Sequence, residues 1–153
     1  MSDRYDLHNS IFRGDFDTVR RILHEYPSLI DSRDKNGDTP LHVACLAKQI
    51  GLIGSLEAYG PDVNARGRDG RTPLHYAVQE GRTISLVVVW ALLRLGADPD
   101  IPDARGLTPA DWAKRQMKDE RSRAEVLTQL ERASRNESSG GVNNSEADGS
   151  VPP

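Results

Sequence analysis

Apolar residues recur three or four positions apart in successive stretches of this chain, which is the spacing of one buried helix face. Clusters of Gly, Asp, Asn and Pro separate the stretches and favour turns between them. The apolar positions are Phe16, Val19, Ile22 and Leu23; Leu41, Ala44 and Cys45; Leu52, Ile53 and Leu56; residues 84–95; and Ala124, Val126, Leu127 and Leu130. The pattern predicts an all-α protein built of short helices.

One hexapeptide returns along the chain and marks where helices begin. Thr-Pro-Leu-His-Val-Ala at residues 39–44 returns as Thr-Pro-Leu-His-Tyr-Ala at 72–77, and in degraded form as Thr-Pro-Ala-Asp-Trp-Ala at 108–113. Pro suits the first turn of a helix, where its missing N–H needs no partner, and the preceding Thr hydroxyl can cap the helix. The copies start 33 and then 36 residues apart, which predicts a repeat architecture.

The hexapeptide at this period resembles the ankyrin repeat. The resemblance implies an all-α solenoid of about four helix-turn-helix repeats with β-hairpin loops. It places an ankyrin repeat domain over residues 1–133, with repeats at about 5–36, 37–69, 70–105 and 106–133. Residues 134–153 are rich in Ser, Gly, Asn and acidic residues, and this composition predicts a disordered tail.

Two departures from the family pattern carry structural expectations. Lys48 stands where the family usually has a helix-breaking Gly, and Gly51 and Gly54 make the following helix the weakest expected. The third repeat has 15 residues from Gly81 to Gly96, against 12 from Lys48 to Gly60 in the second. The difference predicts that the second helix of the third repeat is about one turn longer.

Composition restricts the classes of partner. The 153 residues suit one domain, and 37% hydrophobic content suits a thin solenoid in which each repeat packs only on its neighbours. The net charge of −3 indicates no strong field for nucleic acid or an anionic membrane. We therefore expect no nucleic acid and no membrane as partners. The resemblance implies a protein partner, and we expect a monomer when unbound.

Three features set the expected location. Cys45 is the single cysteine, so no internal disulfide can form, which favours a reducing compartment. The polar N-terminal segment lacks the apolar region of a signal peptide, and the longest apolar run, at residues 86–93, is too short to span a bilayer. We expect a cytoplasmic or nuclear location, between which the sequence does not choose.

Catalytic and metal-binding alternatives find little support in the sequence. His8, His42 and His75 share one repeat position, which would suit a column of metal ligands; the family resemblance instead implies histidines that bond across the turn. Cys45 is a candidate nucleophile beside His42, but it occupies a small apolar position that the family usually fills with Ala. No phosphate-binding loop is present, so we expect no cofactor and no enzymatic activity.

The resemblance implies binding through the hairpin tips and the inner helices. The candidate partner-binding residues are Lys35, Asn36, Asp38, Arg68, Asp69, Arg71, Tyr76, Gln79, Glu80, Arg105, Leu107 and Trp112. Aromatic and Arg side chains are typical of binding hot spots, while a solvated surface and inter-repeat packing of Tyr76 and Trp112 are the alternatives. Asn64 resembles a residue hydroxylated in some ankyrin repeats, although a turn-stabilising Asn also explains it.

These features together predict a non-catalytic protein–protein interaction module. It would act as an adaptor, an inhibitor or an assembly chaperone through its concave face and hairpin tips. A four-repeat regulator similar to kinase inhibitors is the alternative within the same class, and an enzyme is the alternative outside it.

Overall fold

The computed structural model describes the backbone of residues 3–79 and 84–139, and the side chains of residues 6–79 and 84–136. Within these ranges the chain forms eight α-helices and no strand. They are α1 (Asp3–Arg13), α2 (Phe16–Glu25), α3 (Pro40–Leu46), α4 (Ile50–Glu57), α5 (Pro73–Val78), α6 (Ile84–Arg94), α7 (Pro109–Gln116) and α8 (Glu120–Ser139). None of these helices is long and apolar enough to cross a membrane. The prediction of an all-α fold is confirmed.

The helices form two layers. The odd-numbered helices pack in sequence, α1 on α3, α3 on α5 and α5 on α7, and form an inner layer. Each also packs on the helix that follows it in the chain, and α6 contacts both α4 and α8 in the outer layer. Each pair therefore touches mainly its neighbours, which is the packing of a solenoid.

The inner helices α3 and α5 begin with the same set of hydrogen bonds. The Nδ1 atom of His42 accepts the Thr39 backbone N–H at 3.2 Å and lies 2.8 Å from the Thr39 hydroxyl, while Nε2 lies 2.9 Å from the Arg71 carbonyl oxygen. An N–H can only donate and a carbonyl can only accept, so the neutral imidazole carries its proton on Nε2. The prediction that this histidine bonds across the turn is confirmed.

The second copy repeats this arrangement and the third varies it. His75 lies 2.9 Å from the Thr72 hydroxyl and 2.8 Å from the Leu107 carbonyl oxygen. In the degraded copy the Asp111 carboxylate takes the place of the imidazole and accepts the Thr108 N–H at 3.0 Å. The capping bond to Thr therefore survives the change of residue. A carboxylate replaces the Nδ1 atom of the histidine, which accepts from Thr, but it cannot replace the Nε2 N–H, which donates to a carbonyl.

The core lies between the two layers. Leu41 and Leu74, at the same repeat position, are fully buried. Ala44, Ala77 and Ala113 are also fully buried on the inner helices. Small side chains there allow neighbouring inner helices to approach closely, because the distance between helix axes depends on the side chains at the contact.

Lys48 adopts the left-handed backbone conformation that Gly usually provides, and its side chain adds a contact. Its φ of 56° is left-handed, a conformation in which L-residues with a Cβ are strained. Its Nζ donates to the carbonyls of Tyr76, Ala77 and Gln79 at 3.0, 2.8 and 3.1 Å. The ammonium group thus caps the C-terminus of α5, where carbonyls lack intrahelical partners and positive charge is favourable.

The tips differ from the expected β-hairpins. Each is a five-residue turn closed by one backbone hydrogen bond of 2.7–2.9 Å rather than by a strand ladder. The three closing bonds run from Asp34 N to Asp38 O, from Gly67 N to Arg71 O and from Asp103 N to Leu107 O. A second backbone bond of 3.0–3.1 Å lies within each turn, from the N–H of Gly37, Gly70 and Gly106 to the carbonyls of Asp34, Gly67 and Asp103. These are turn bonds, and the described residues contain no strand.

The ends of the outer helices test two further expectations. α6 contains 11 residues and α4 contains 8, so the predicted extra turn is confirmed.

α8 continues to Ser139, so the boundary expected at residue 134 lies inside a helix. The Ser134 hydroxyl donates to Asp100 at 2.7 Å, and an Arg135–Glu131 pair at 3.8 Å supports the last turns. Residues 140–153 of the expected tail lie outside the described residues.

Candidate functional site

Three tips form one edge of the solenoid, which we call the tip row. The tip row consists of residues 34–38, 67–71 and 103–107. The first two tips meet where the Arg68 backbone N–H donates to the Asp38 carboxylate at 2.9 Å. The second and third meet where the Ala104 N–H donates to the Asp69 carbonyl at 2.9 Å. The row is therefore a continuous edge, braced between tips by main-chain groups.

The first tip turns its carboxylates inward. The Asp34 carboxylate accepts the backbone N–H groups of Asn36 and Asp38 at 2.8 and 3.0 Å, in an Asx turn. The Asp38 side chain is buried, and its carboxylate accepts the Tyr76 hydroxyl and the Arg68 N–H. Both acids therefore organise the backbone, and the charge of Asp38 is withdrawn from solvent while that of Asp34 is half-buried.

The third tip repeats this inward orientation. The Asp103 carboxylate accepts the N–H groups of Arg105 and Leu107 at 2.8 and 2.9 Å and the Trp112 indole N–H at 2.9 Å. Desolvation of Asp103 acts to raise its pKa, but these hydrogen bonds outweigh it and lower the pKa below the ordinary value of 3.8. Asp103 is therefore ionised at neutral pH, with its charge held by donors inside the protein.

Arg71, in the second tip, packs its guanidinium against aromatic rings of α5 and α7. The group lies 4.4 Å from the centre of the Trp112 ring and 5.9 Å from that of Tyr76, within the range of cation–π contacts. It also pairs with the Asp69 carboxylate at 3.1 Å. Packing on the aromatic rings leaves the Arg71 side chain 20% exposed, so it serves the structure of the row as well as its surface.

The predicted partner-binding residues divide by burial. Those exposed to solvent are Lys35, Asn36, Arg68, Asp69 and Arg105. Those half-buried are Arg71, Gln79, Leu107 and Trp112. Asp38 and Tyr76 are buried, with 6% and 4% exposure, so inter-repeat packing, not an accessible surface, describes them. Glu80 lies outside the described residues.

Two exposed arginines beside the tip row were missed by the sequence reasoning. Arg33 and Arg66 precede the first and second tips by one residue and lie 33 positions apart. The Arg33 Nη1 donates to the carbonyls of Gly37 and Arg66 at 2.7 and 2.6 Å, which fixes this side chain along the edge. The recurrence of Arg at one repeat position was the signal that could have found them.

The groups considered for chemistry have structural environments. Cys45 is fully buried, and desolvation raises the pKa of its thiol to about 12, so the thiolate nucleophile does not form at neutral pH. Burial likewise lowers the pKa of His42 below 6.5. Among the described residues, no group of three or more His, Cys, Asp or Glu side chains is arranged to hold a metal ion.

Asn64 bridges two repeats. Its side-chain oxygen accepts the Asp98 backbone N–H at 2.8 Å, and its own N–H donates to the Asp62 carboxylate at 3.0 Å. A third contact, from its amide nitrogen to the Gly96 carbonyl, is 3.5 Å long. These bonds explain Asn64 as a residue that stabilises the loops, which was one of its two sequence interpretations.

Comparison with known proteins agrees with this geometry. The family model described as ankyrin repeats, in three copies, matches residues 7–103. Delta-latroinsectotoxin-Lt1a of Latrodectus tredecimguttatus is 42% identical over 65 residues, which are 42% of this chain and 5% of the toxin. The serine/threonine-protein kinase VIK of Arabidopsis thaliana is 44% identical over 53 residues, 35% of this chain and 12% of the kinase. The chain thus spans only a small part of the length of these relatives.

Proposed function

The chain belongs to the ankyrin repeat family, and from this premise we propose that it is a non-catalytic protein-binding module that uses the tip row as its contact surface. The observation that carries the proposal is that hydrogen bonds between tips hold the backbone beneath the exposed side chains, from the Arg68 N–H to the Asp38 carboxylate and from the Ala104 N–H to the Asp69 carbonyl. A preorganised edge lowers the entropy cost of binding, since its side chains start from fixed backbone positions.

Within this class we propose an adaptor, an inhibitor or an assembly chaperone that acts by occupying a partner protein. A four-repeat regulator similar to kinase inhibitors is the second form of the same proposal. The module works as a monomer when unbound, in the cytoplasm or the nucleus, without cofactor, nucleic acid or membrane. The buried, unreactive Cys45 and the structural bonds of His42 and His75 support the non-catalytic part.

A pair of charge-reversal variants tests the location of the surface. The tip variant combines Lys35→Glu, Arg68→Glu and Arg105→Glu, all at exposed positions of the tip row. The control variant combines Arg20→Glu, Arg21→Glu and Arg121→Glu, which are exposed on the outer helices α2 and α8 and change the net charge equally. Both should keep their helicity, because exposed charges contribute little to stability.

Quantitative affinity capture from a cell lysate then compares the two variants with the wild type. We expect at least one protein to be retained by the wild type and the control variant and depleted about tenfold by the tip variant, since contacts at the interface carry the binding energy. Retention of every captured protein by the tip variant, or their loss from the control variant, would overturn the proposed surface.

A further inference from the structure

The tips separate their charges by sign. The carboxylates of Asp34 and Asp103 accept backbone N–H groups within their own turns. The Asp38 carboxylate accepts the Tyr76 hydroxyl and the Arg68 N–H of the next tip. The exposed carboxylate of the tip row is that of Asp69, which pairs with Arg71 at 3.1 Å and lies 4.0 Å from the Arg68 Nε. Acids and bases alternate in the sequence, which suggests a mixed surface, but Asp38 and Asp103 are buried and Asp34 is half-buried.

The bases, by contrast, face outward. Exposed cations at the tips and immediately before them are Arg33, Lys35, Arg66, Arg68 and Arg105. Their alignment follows from the tip contacts, since the bond from Arg33 to the Arg66 carbonyl joins the first two tips and the bond from Ala104 to Asp69 joins the last two. A protein with a formal charge of −3 therefore carries a basic edge.

We infer that the tip row recognises an acidic peptide segment of its protein partner. This inference rests on the proposed function and names the chemistry of the partner. Guanidinium groups bind carboxylates through two parallel N–H···O bonds, which favours Arg-rich surfaces for carboxylate recognition. Arg33 is prepared for this contact, because both of its main-chain bonds leave from Nη1, one of its three nitrogens.

The spacing of the row fits an extended peptide. Neighbouring helices pack about 8–10 Å apart, so equivalent cations on adjacent tips are separated by about one such distance. An extended chain advances about 3.3–3.6 Å per residue. Carboxylates about three residues apart on a peptide of seven to ten residues, by this rough estimate, would therefore meet successive tips.

A peptide fits this row better than a nucleic acid does. The basic edge is short, and beyond it the exposed side chains include acids such as Asp31, Asp62 and Asp100, which repel a long polyanion. Nucleic-acid affinity grows with the number of phosphates neutralised along an extended surface, so a short row gains little from it.

The test uses fluorescein-labelled decaglutamate as the acidic probe, with decalysine and a ten-nucleotide single-stranded DNA as comparison probes. Fluorescence anisotropy measures binding to the full chain, the tip variant and the control variant. We expect decaglutamate to bind the full chain, to weaken as NaCl rises from about 50 to about 200 mM, and to weaken about tenfold or more in the tip variant. The control variant should bind it within about twofold of the wild type.

Three results would overturn the inference: decaglutamate bound no better than decalysine, bound equally by the tip variant, or bound more weakly than the DNA. These failures can be separated from failure of the proposed function. If lysate capture depends on the tip row but decaglutamate binding does not, the acidic partner is wrong and the binding surface stands. If lysate capture does not depend on the tip row, the proposed function itself is wrong.

Discussion

The Tyr76 hydroxyl donates to the Asp38 carboxylate, 3.0 Å from Oδ1 and 2.9 Å from Oδ2, across the boundary between the second and third repeats. The same two repeat positions meet at the next boundary, where the Arg71 guanidinium lies 4.4 Å from the Trp112 ring centre. One geometric relationship is therefore used twice with different chemistry, first as a hydrogen-bonded acid and phenol and then as a cation on an aromatic face.

Removing the phenol hydroxyl should destabilise the fold. Tyr76→Phe leaves the buried Asp38 carboxylate with the Arg68 N–H but without its side-chain donor, so we expect a loss of about 1–3 kcal/mol in the free energy of unfolding in urea. Tyr59→Phe, at a half-buried position, is the matched control and should change stability by less than about 0.5 kcal/mol. Equal losses in the two variants would contradict a specific role for the Asp38 contact.

Lys48 offers a way to separate backbone strain from side-chain capping. Lys48→Ala removes the bonds to the three carbonyls at the end of α5 and keeps the left-handed φ of 56°, whereas Lys48→Gly removes the bonds and relieves the strain. We expect both variants to be less stable than the wild type, with Ala the worse by about 1 kcal/mol. Urea unfolding of the pair measures the difference, and an Ala variant as stable as the Gly variant would argue against strain at this position.

The two glycines of α4 should respond differently to the same substitution. A Cβ at Gly54 would have no atom within 4 Å, so Gly54→Ala should stabilise the protein by about 0.5–1 kcal/mol, as expected for an exposed helix position. A Cβ at Gly51 would lie 2.8 Å from Cζ of Phe16, so Gly51→Ala should gain less because that ring must move. Thermal melts of the two variants compare them directly, and an equal gain would mean that Phe16 moves without cost.

Stability should fall as the solution becomes mildly acidic. Burial lowers the pKa values of His42 and His75 in the folded state below their ordinary value of 6.5. The unfolded chain therefore binds more protons than the folded chain below about pH 6.5, and stability that is complete above this pH is lost as the pH falls toward the folded pKa values. Urea midpoints measured at about pH 7.5, 6.5 and 5.5 should decline over the lower interval.

One outcome would contradict this expected pH effect. A flat stability profile from pH 7.5 to 5.5 would show that the two buried imidazoles accept protons as readily as in the unfolded chain.

The hexapeptide made the architecture predictable because it encodes local and neighbouring contacts together. Thr39 and His42 cap one helix, and the same imidazole reaches the Arg71 carbonyl of the next repeat. Counting residues between helix-breaking positions was enough to predict the extra turn of α6, since helix length follows residue number directly.

The candidate surface was less predictable because orientation is a three-dimensional property. Asp38 and Arg71 occupy one repeat position, yet Asp38 is buried against Tyr76 while Arg71 packs on Trp112 and stays partly exposed. The sequence places Asp103 at a tip, but it does not show that the carboxylate accepts backbone N–H groups, because those hydrogen bonds depend on the turn conformation. The end of α8 escaped prediction because polar composition favours disorder while ion pairs such as Arg135–Glu131 favour helix.

The outer helices differ in length, but the contacts between neighbouring inner helices and tips do not. α6 is three residues longer than α4, with 11 residues against 8. Yet the Nε2 atom of His42 lies 2.9 Å from the Arg71 carbonyl oxygen in the second tip, and that of His75 lies 2.8 Å from the Leu107 carbonyl oxygen in the third tip. The step from one tip to the next is thus independent of how far the outer helix extends behind it. Insertions at the back of such a protein can accumulate while the interval presented to a partner stays constant.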